Sequence, residues 1–160
     1  MKRTKIISAL IIIATLLCAL TSCGGGNVDN KGTATILVDN GGGDYTSYVV
    51  DLSKLKEREN GAVSLLEYLS GEKGTDLRYE TESGAYGAYI KSINALNPNP
   101  ISEYIAIYTS EESDFSVSSD GMAMPGIKYE DIELQYSGVG ISEMTVKDGT
   151  VIMLRLESFG

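Results

Sequence analysis

The sequence predicts an α+β fold, in which a mixed β-sheet packs on a single helix after a cleaved signal peptide. Two strand-like runs joined by a glycine-rich turn open the predicted folded part. Only one later segment spaces its apolar residues as a helix does. The last run, Val151 to Leu156, is apolar on almost both faces, which is typical of a central strand. With 160 residues, the chain is long enough for one domain with its own core.

The first 22 residues have the composition of an export leader. Residues 6–20 are mostly apolar but shorter than the roughly 20 residues that span a membrane. Small residues then precede Cys23, and the pattern Leu-Thr-Ser-Cys resembles the bacterial lipobox. The alternative is an ordinary secretory leader with a chance cysteine, and Cys18 lacks the preceding small residue. The positive residues that begin the leader are Lys2, Arg3 and Lys5.

The lipobox resemblance implies cleavage before Cys23 and lipidation of its sulfur. Residues 23–32 are then a lipidated cysteine and a flexible Gly/Asn-rich tether. Several acyl chains on one cysteine would anchor the protein stably, which one chain cannot do. We therefore expect a lipid-anchored protein on the extracytoplasmic face of the cell membrane, with the folded domain at residues 33–160.

Composition limits the chemistry of this domain. Without its leader the chain has 10 basic and 22 acidic residues, a net charge of −12, which disfavours nucleic acid as a partner. Basic partners, or solubility alone, fit such a surface. The chain has no histidine, so Ser-His-Asp and Cys-His catalysis and histidine-ligated metals are excluded. With Cys18 removed and Cys23 lipidated, no disulfide is expected.

The predicted elements begin with a hairpin of residues 33–39 and 45–52 around a turn at 40–44. The helix follows, with Asn60 as a candidate N-cap and Gly71 as its stop. Its apolar face consists of Ala62, Leu65, Leu66 and Leu69. Strands are predicted at 77–82, 86–95, 103–109, 127–136 and 151–156. Residues 97–100, 110–126 and 138–145 are predicted loops, 147–150 is a tight turn, and 110–126 has an alternative short strand at 115–117.

Four stretches resemble a known family in their order and spacing. They are residues 61–69, 87–94, 104–110 and 144–151, and the resemblance covers about residues 33–157. The chain is similar to bacterial surface domains related to the C-terminal domain of transcobalamin and intrinsic factor. The resemblance implies a β-grasp fold, a binding role without enzymatic activity, and a corrinoid as the family's ligand. This chain departs from the family pattern because it has no tryptophan near Ile105.

Tyrosines and methionines are the predicted ligand-binding residues. The chain has ten tyrosines but only two phenylalanines, and tyrosine offers apolar area together with a hydroxyl group. The alternative is that these tyrosines line a sheet face, because tyrosine is a good strand former. Methionines on the long loop would suit an apolar ligand, or would cover an open edge of the core. The candidates are Tyr86, Tyr89, Tyr104, Tyr108, Met122 and Met124.

Acidic residues suggest weaker alternatives. Asp39 and Asp44 flank a glycine-rich turn and could contribute oxygen ligands to Ca²⁺, but a hairpin turn explains the same residues. Glu111, Glu112 and Asp114 could include a general acid and base, but such clusters are usually solvated surface. The sequence therefore predicts neither a metal site nor a catalytic site.

The predicted function is that of a membrane-anchored lipoprotein with a non-catalytic binding domain for a small molecule or peptide. Loops at residues 83–88, 97–102 and 110–126 are expected to present the site. The alternative is a surface structural or adhesion protein that contacts other proteins. A tyrosine pocket would favour the first function, and a flat, uncovered edge strand would favour the second.

Overall fold

The computed structural model describes residues 26–122 and 124–159. The leader and the predicted lipidation site Cys23 lie outside the described residues. Eight strands and one α-helix form the domain, so the predicted α+β class is confirmed. The helix α1 is Val63–Ser70. The strands are β1 Thr33–Gly41, β2 Asp44–Asp51, β3 Tyr79–Gly84, β4 Gly87–Ile93, β5 Glu103–Thr109, β6 Ile127–Tyr129, β7 Ile132–Tyr136 and β8 Val151–Ser158.

The main sheet has six strands in the order β2-β1-β8-β5-β7-β6. The β1–β8 pair is parallel and the other pairs are antiparallel. This is the predicted β-grasp arrangement: the β1–β2 hairpin comes first, the helix α1 follows, and the last strand, β8, lies beside β1. The apolar residues of β8 explain its central place: Ile152 and Leu154 pack toward α1, while Val151 and Met153 pack in a second cluster on the opposite face.

The helix buries its apolar face against β1, β2 and β8, as its residue spacing predicts. Leu65, Leu66 and Leu69 are fully buried in the larger core cluster. The prediction of Asn60 as N-cap is wrong, because the cap is Ala62, whose N–H donates to the backbone carbonyl of Ile141 instead. A tertiary contact thus replaces the side-chain cap. Gly71 ends the helix as predicted, with its N–H donating to Glu67 O.

Strands β3 and β4 form a separate two-stranded sheet that lies against the core. Ile90 and Ile93 of β4 are buried in the cluster that also contains the helix. The predicted strand at residues 127–136 is divided into the hairpin β6–β7, because Glu130 has a positive φ of 51° in the turn between them. The predicted short strand at 115–117 is reduced to a single bridge between Phe115 and Ser137.

Residues 26–29 contact the folded domain, although residues 23–32 were predicted to form a flexible tether. Val28 is 6% exposed and forms a parallel bridge with Val146. Gly26 N donates to Ser142 O at 3.0 Å, and Asp29 N donates to Val146 O at 2.8 Å. The buried Val28 and these backbone hydrogen bonds together hold residues 26–29 on the domain.

Across the part of the chain that the structure describes, no helix has the length and apolarity needed to cross a membrane.

Candidate functional site

Strand β5 has one fully paired edge and one partly open edge. It pairs with β8 along its whole length, from Glu103 to Thr109. On its other side the register with β7 covers only Tyr108 and Thr109. The first half of β5 therefore has no neighbouring strand in the main sheet, and a cleft lies beside it.

This cleft has a volume of about 690 Å³, within the range of about 300–1,000 Å³ typical of ligand sites. Three segments far apart in the sequence form its walls: the β3–β4 hairpin, the open half of β5 and the segment that follows β7. The C-terminal Phe159 contributes a further aromatic ring. The lining residues that carry the argument are Tyr86, Tyr89, Ile90, Tyr104, Ile105 and Gly140.

A second cavity, of about 650 Å³, continues the first along β4 and β5. The two cavities share Tyr89, Ile90, Tyr104 and Phe159, and we call them together the edge groove. The far end of the groove is lined by residues of the 97–100 loop and by charged residues of β3, β4 and β5. The groove therefore runs beside the open half of β5 and changes from aromatic to charged along its length.

Gly140 closes the aromatic end of the edge groove by a close backbone approach. Its N–H donates to Tyr86 O at 2.6 Å, and the next residue, Ile141, donates its N–H to Ala88 O at 2.7 Å. A Cβ at position 140 would lie 2.5 Å from Ala88 O and 2.7 Å from Tyr86 O, which only glycine avoids. These contacts position Tyr86 at the rim of the groove.

Tyr104 and Phe159 form the aromatic wall that the two cavities share. Their rings stack with centroids 5.0 Å apart and an interplanar angle of 23°. Burial, reinforced by the nearby Tyr136 and Glu157, raises the pKa of Tyr104 to about 12. The Tyr104 hydroxyl is therefore neutral at physiological pH and can donate a hydrogen bond to a ligand.

The structure brings three of the four predicted tyrosines together. Tyr86 is 80% exposed, Tyr89 is 45% exposed, and both line the edge groove with Tyr104. Tyr108 lines neither cavity of the groove, and its side chain is only 5% exposed. Its hydroxyl donates to Glu157 Oε1 at 2.6 Å, so Tyr108 is a core residue.

Met122 and Met124 do not line either cavity of the edge groove. They are 64% and 39% exposed in the segment that follows the 3₁₀ turn Glu112–Asp114. Backbone hydrogen bonds from Met124 N to Ser116 O and from Ser118 N to Met122 O shape this segment. Of the predicted loops, 83–88 contributes Tyr86, 97–102 contributes Asn97, Pro98 and Pro100, and 110–126 contributes only Ser116.

Two of the three candidate acidic residues, Glu111 and Asp114, have structural partners. Glu111 is 3% exposed; it accepts from Thr150 Oγ1 at 2.5 Å and forms an ion pair with Lys147 Nζ at 2.6 Å. The hydrogen bond between Lys147 and the Glu111 carboxylate raises the pKa of Lys147. Asp114, which is also buried, accepts from Thr145 N at 2.7 Å. Both carboxylates thus hold the turn before β8, and neither lines the edge groove.

The glycine turn between β1 and β2 explains the residues considered as Ca²⁺ ligands. Asp39 accepts from Gly41 N at 2.8 Å and lies 3.5 Å from Arg155 Nε. Gly41, Gly42 and Gly43 all have positive φ, as the tight turn requires. In residues 26–122 and 124–159, no group of three or more Cys, Asp or Glu side chains is arranged to hold a metal ion.

Sequence reasoning missed several groove residues. Phe159 is the second-last residue and has no strand pattern around it, so nothing in its local sequence indicates stacking on Tyr104. Residues 138–140 belong to the predicted loop 138–145, and Ile90 was predicted only as a strand residue. The glycines at 138 and 140 indicate that another backbone segment lies close to them, but the sequence does not identify that segment.

Comparisons with known proteins identify no family. No family model matches the chain, and no curated protein matches it. Among solved structures, the chain is similar to a protein from Ruminococcus gnavus ATCC 29149 described as a "putative metal binding protein". The two are 15% identical with a TM-score of 0.49, over 81% of this chain and 100% of the other.

Proposed function

We propose that this protein is a membrane-anchored extracytoplasmic lipoprotein whose β-grasp domain binds a small molecule or peptide without catalysis. The edge groove is the observation that supports binding. Its exposed aromatic rings, at Tyr86, Tyr89 and Phe159, leave apolar area open to solvent. Such aromatic surfaces beside hydroxyl groups suit sugars, corrinoids and peptides.

The non-catalytic part of the proposal is supported by the acidic residues. Glu111 and Asp114 are engaged in hydrogen bonds that hold the chain before β8, outside the groove. The chain has no histidine to act as a base near neutral pH. The groove therefore offers aromatic rings, a hydroxyl and carboxylates for recognition, without an imidazole base.

Binding is tested with the soluble segment of residues 24–160, which contains every described strand and the helix. We expect a corrinoid, a sugar or a peptide to raise its melting temperature, because a ligand of the native state stabilises it by mass action. Tyr104→Ala should reduce the shift. Val49→Ala, which removes an exposed apolar side chain on β2, is the matched control. If no compound raises the melting temperature, the binding proposal is wrong.

The anchor is tested in a bacterial host given an alkyne-labelled fatty acid. Labelling of the full chain should be lost in Cys23→Ser and retained in Cys18→Ser, which removes the other cysteine. Mass spectrometry of the mature protein should show that it starts at a lipidated Cys23. Labelling that survives Cys23→Ser would contradict the lipoprotein proposal and leave the binding proposal untouched.

A surface protein that adheres to other proteins is the second candidate. Ile101 is 88% exposed in the 97–102 loop and Tyr86 is 80% exposed on the β3–β4 turn. Apolar residues this exposed are common at contacts between proteins. Binding of an intact protein that is insensitive to Tyr104→Ala, with no small ligand found, would favour this candidate.

A further inference from the structure

The hydrogen-bonding pattern of β5 follows from the residues just beyond its two ends. Phe159 N donates to Ser102 O at 2.9 Å, and Ser110 N donates to Val151 O at 3.0 Å. Both pairs continue the β5–β8 register. Bonded and non-bonded pairs alternate along an antiparallel ladder. The even-numbered residues of β5 therefore bond to β8, and the odd-numbered residues direct their N–H and C=O groups to the opposite edge.

At that opposite edge, the odd-numbered residues have different partners. Ile107 O accepts from Ser137 N at 2.8 Å, and Thr109 lies in the β7 register. Glu103 N donates to Asn99 O at 2.8 Å. Within the described chain no strand pairs with β5 at Ile105, which leaves its N–H and C=O, together with the C=O of Glu103, directed into the edge groove.

An unpaired strand edge beside a groove is a template for an additional strand. The open half of β5 covers residues 103–106, about 14 Å at roughly 3.4 Å per residue. This length suits an extended segment of four or five residues. A rounder small molecule could fill the groove but could not satisfy these three backbone groups in their strand-like spacing.

The charges at the far end of the edge groove indicate the chemistry of such a segment. Glu80, Glu82 and Glu103 line this end with a single cation, Lys91. Lys91 Nζ lies 3.4 Å from Glu82, so the pair leaves two carboxylates in excess. A lysine or arginine in the ligand would complement them. The Tyr104–Phe159 wall favours an apolar or aromatic side chain nearer the other end.

We propose that the edge groove binds an extended peptide that adds a strand to β5 at Ile105 and places a basic residue against Glu80 and Glu103, the two carboxylates that Lys91 does not pair. This inference deepens the proposed binding function and depends on it. The backbone of β5 supplies affinity without regard to sequence, while the tyrosines and glutamates select side chains. The same arrangement would let the anchored domain capture basic segments of other surface proteins.

The probe is a display library of random linear heptapeptides, selected on the soluble segment of residues 24–160. We expect enriched peptides to carry Lys or Arg together with an apolar or aromatic residue. A selected peptide is then methylated at one backbone nitrogen at a time. Methylation at alternate positions should abolish binding, because only every second residue bonds to β5. Amide exchange at Ile105 should slow when the peptide is bound.

Matched variants separate the charge contribution from general electrostatics. Glu80→Gln with Glu103→Gln should weaken a selected peptide about three- to tenfold, as expected for two ion pairs near the surface. Glu59→Gln with Asp131→Asn removes the same charge from exposed positions that do not line the groove and should change affinity less than twofold. Equal effects of both pairs would overturn the placement of the basic residue.

The outcomes distinguish this inference from the function on which it depends. If no peptide is enriched, or if methylation has no alternating effect, strand addition is wrong. If a corrinoid or sugar still raises the melting temperature in a Tyr104-dependent manner, the proposed binding function stands without it. If neither peptides nor small molecules bind, both are wrong.

Discussion

The two halves of β5 have opposite surroundings although they belong to one strand. Tyr104 and Tyr108 lie on the same face, four residues apart, and both lie near Glu157. Tyr108 lies where β7 and β8 cover both edges, and it is buried against Tyr136 in an edge-to-face contact with centroids 5.6 Å apart. Tyr104 lies where β7 has ended, and its ring forms a wall of the groove. The length of one neighbouring strand therefore separates a core residue from a candidate binding residue.

The largest expected difference between the two halves is in the free energy of unfolding. Tyr108→Ala should lower it by about 3–5 kcal/mol, as for other buried aromatic side chains truncated to alanine. Tyr104→Ala should lower it by about 1 kcal/mol, since its ring partly faces the groove. Urea denaturation of the soluble segment measures both. Similar losses at the two positions would show that the halves do not differ.

A second prediction concerns ligand affinity. Here a substitution at position 104 should have the larger effect, and a substitution at position 108 the smaller one. Tyr104→Ala should weaken a selected heptapeptide about tenfold, a loss of about 1.4 kcal/mol, because it removes the shared wall of the groove. Tyr108→Phe, which keeps the buried ring, should leave affinity within a factor of two. Isothermal titration calorimetry measures both. A larger loss for Tyr108→Phe would contradict the assignment.

Removing single hydroxyls should lower the free energy of unfolding less than removing the whole side chain does at the same position. The Tyr108 hydroxyl donates to a carboxylate oxygen at 2.6 Å, so Tyr108→Phe should cost about 1.5–3 kcal/mol of unfolding free energy. The corresponding Tyr104 contact with Glu157 is 3.5 Å long, and Tyr104→Phe should cost less than about 0.5 kcal/mol. Urea denaturation compares the pair. A cost at position 104 equal to that at 108 would argue against this distinction.

The smallest prediction is a loss of stability at high pH. Burial is the main cause of the raised pKa of Tyr108 and of the pKa of about 12 for Tyr104. An unfolded tyrosine loses its proton near pH 10. Between about pH 10 and 12 the native state holds more protons than the unfolded state, so stability falls as pH rises.

Thermal melts from pH 8 to 12 measure this fall. Tyr108→Phe should give a shallower decrease than the unsubstituted protein, because one of the two groups is removed. Lys147, whose pKa is raised by its hydrogen bond to Glu111, contributes a decrease of the same sign. A melting temperature that is constant to pH 12 would contradict the burial of these tyrosines.

Local sequence determined much of the fold. Alternation and glycine turns predicted the β1–β2 hairpin, and the spacing of Leu65, Leu66 and Leu69 predicted the one helix. Apolar residues on both faces predicted the central position of β8. The predicted N-cap, Asn60, was wrong because the carbonyl of Ile141, which is distant in the sequence, accepts the hydrogen bond from Ala62 N. A cap provided by tertiary contact leaves no local signal.

The proposed lipid anchor at Cys23 depends on the sequence alone, because its pattern is a short, contiguous one. The edge groove was decided by tertiary structure. The sequence predicted Tyr86, Tyr89 and Tyr104 as binding residues, but it predicted the buried Tyr108 as one in the same way. Which tyrosine stays open depends on where β7 stops along β5, and strand pairing is a contact between residues far apart in the chain. The periodicity of apolar residues predicts which face of the sheet a side chain lies on. It does not predict which edge of the strand is paired with a neighbouring strand.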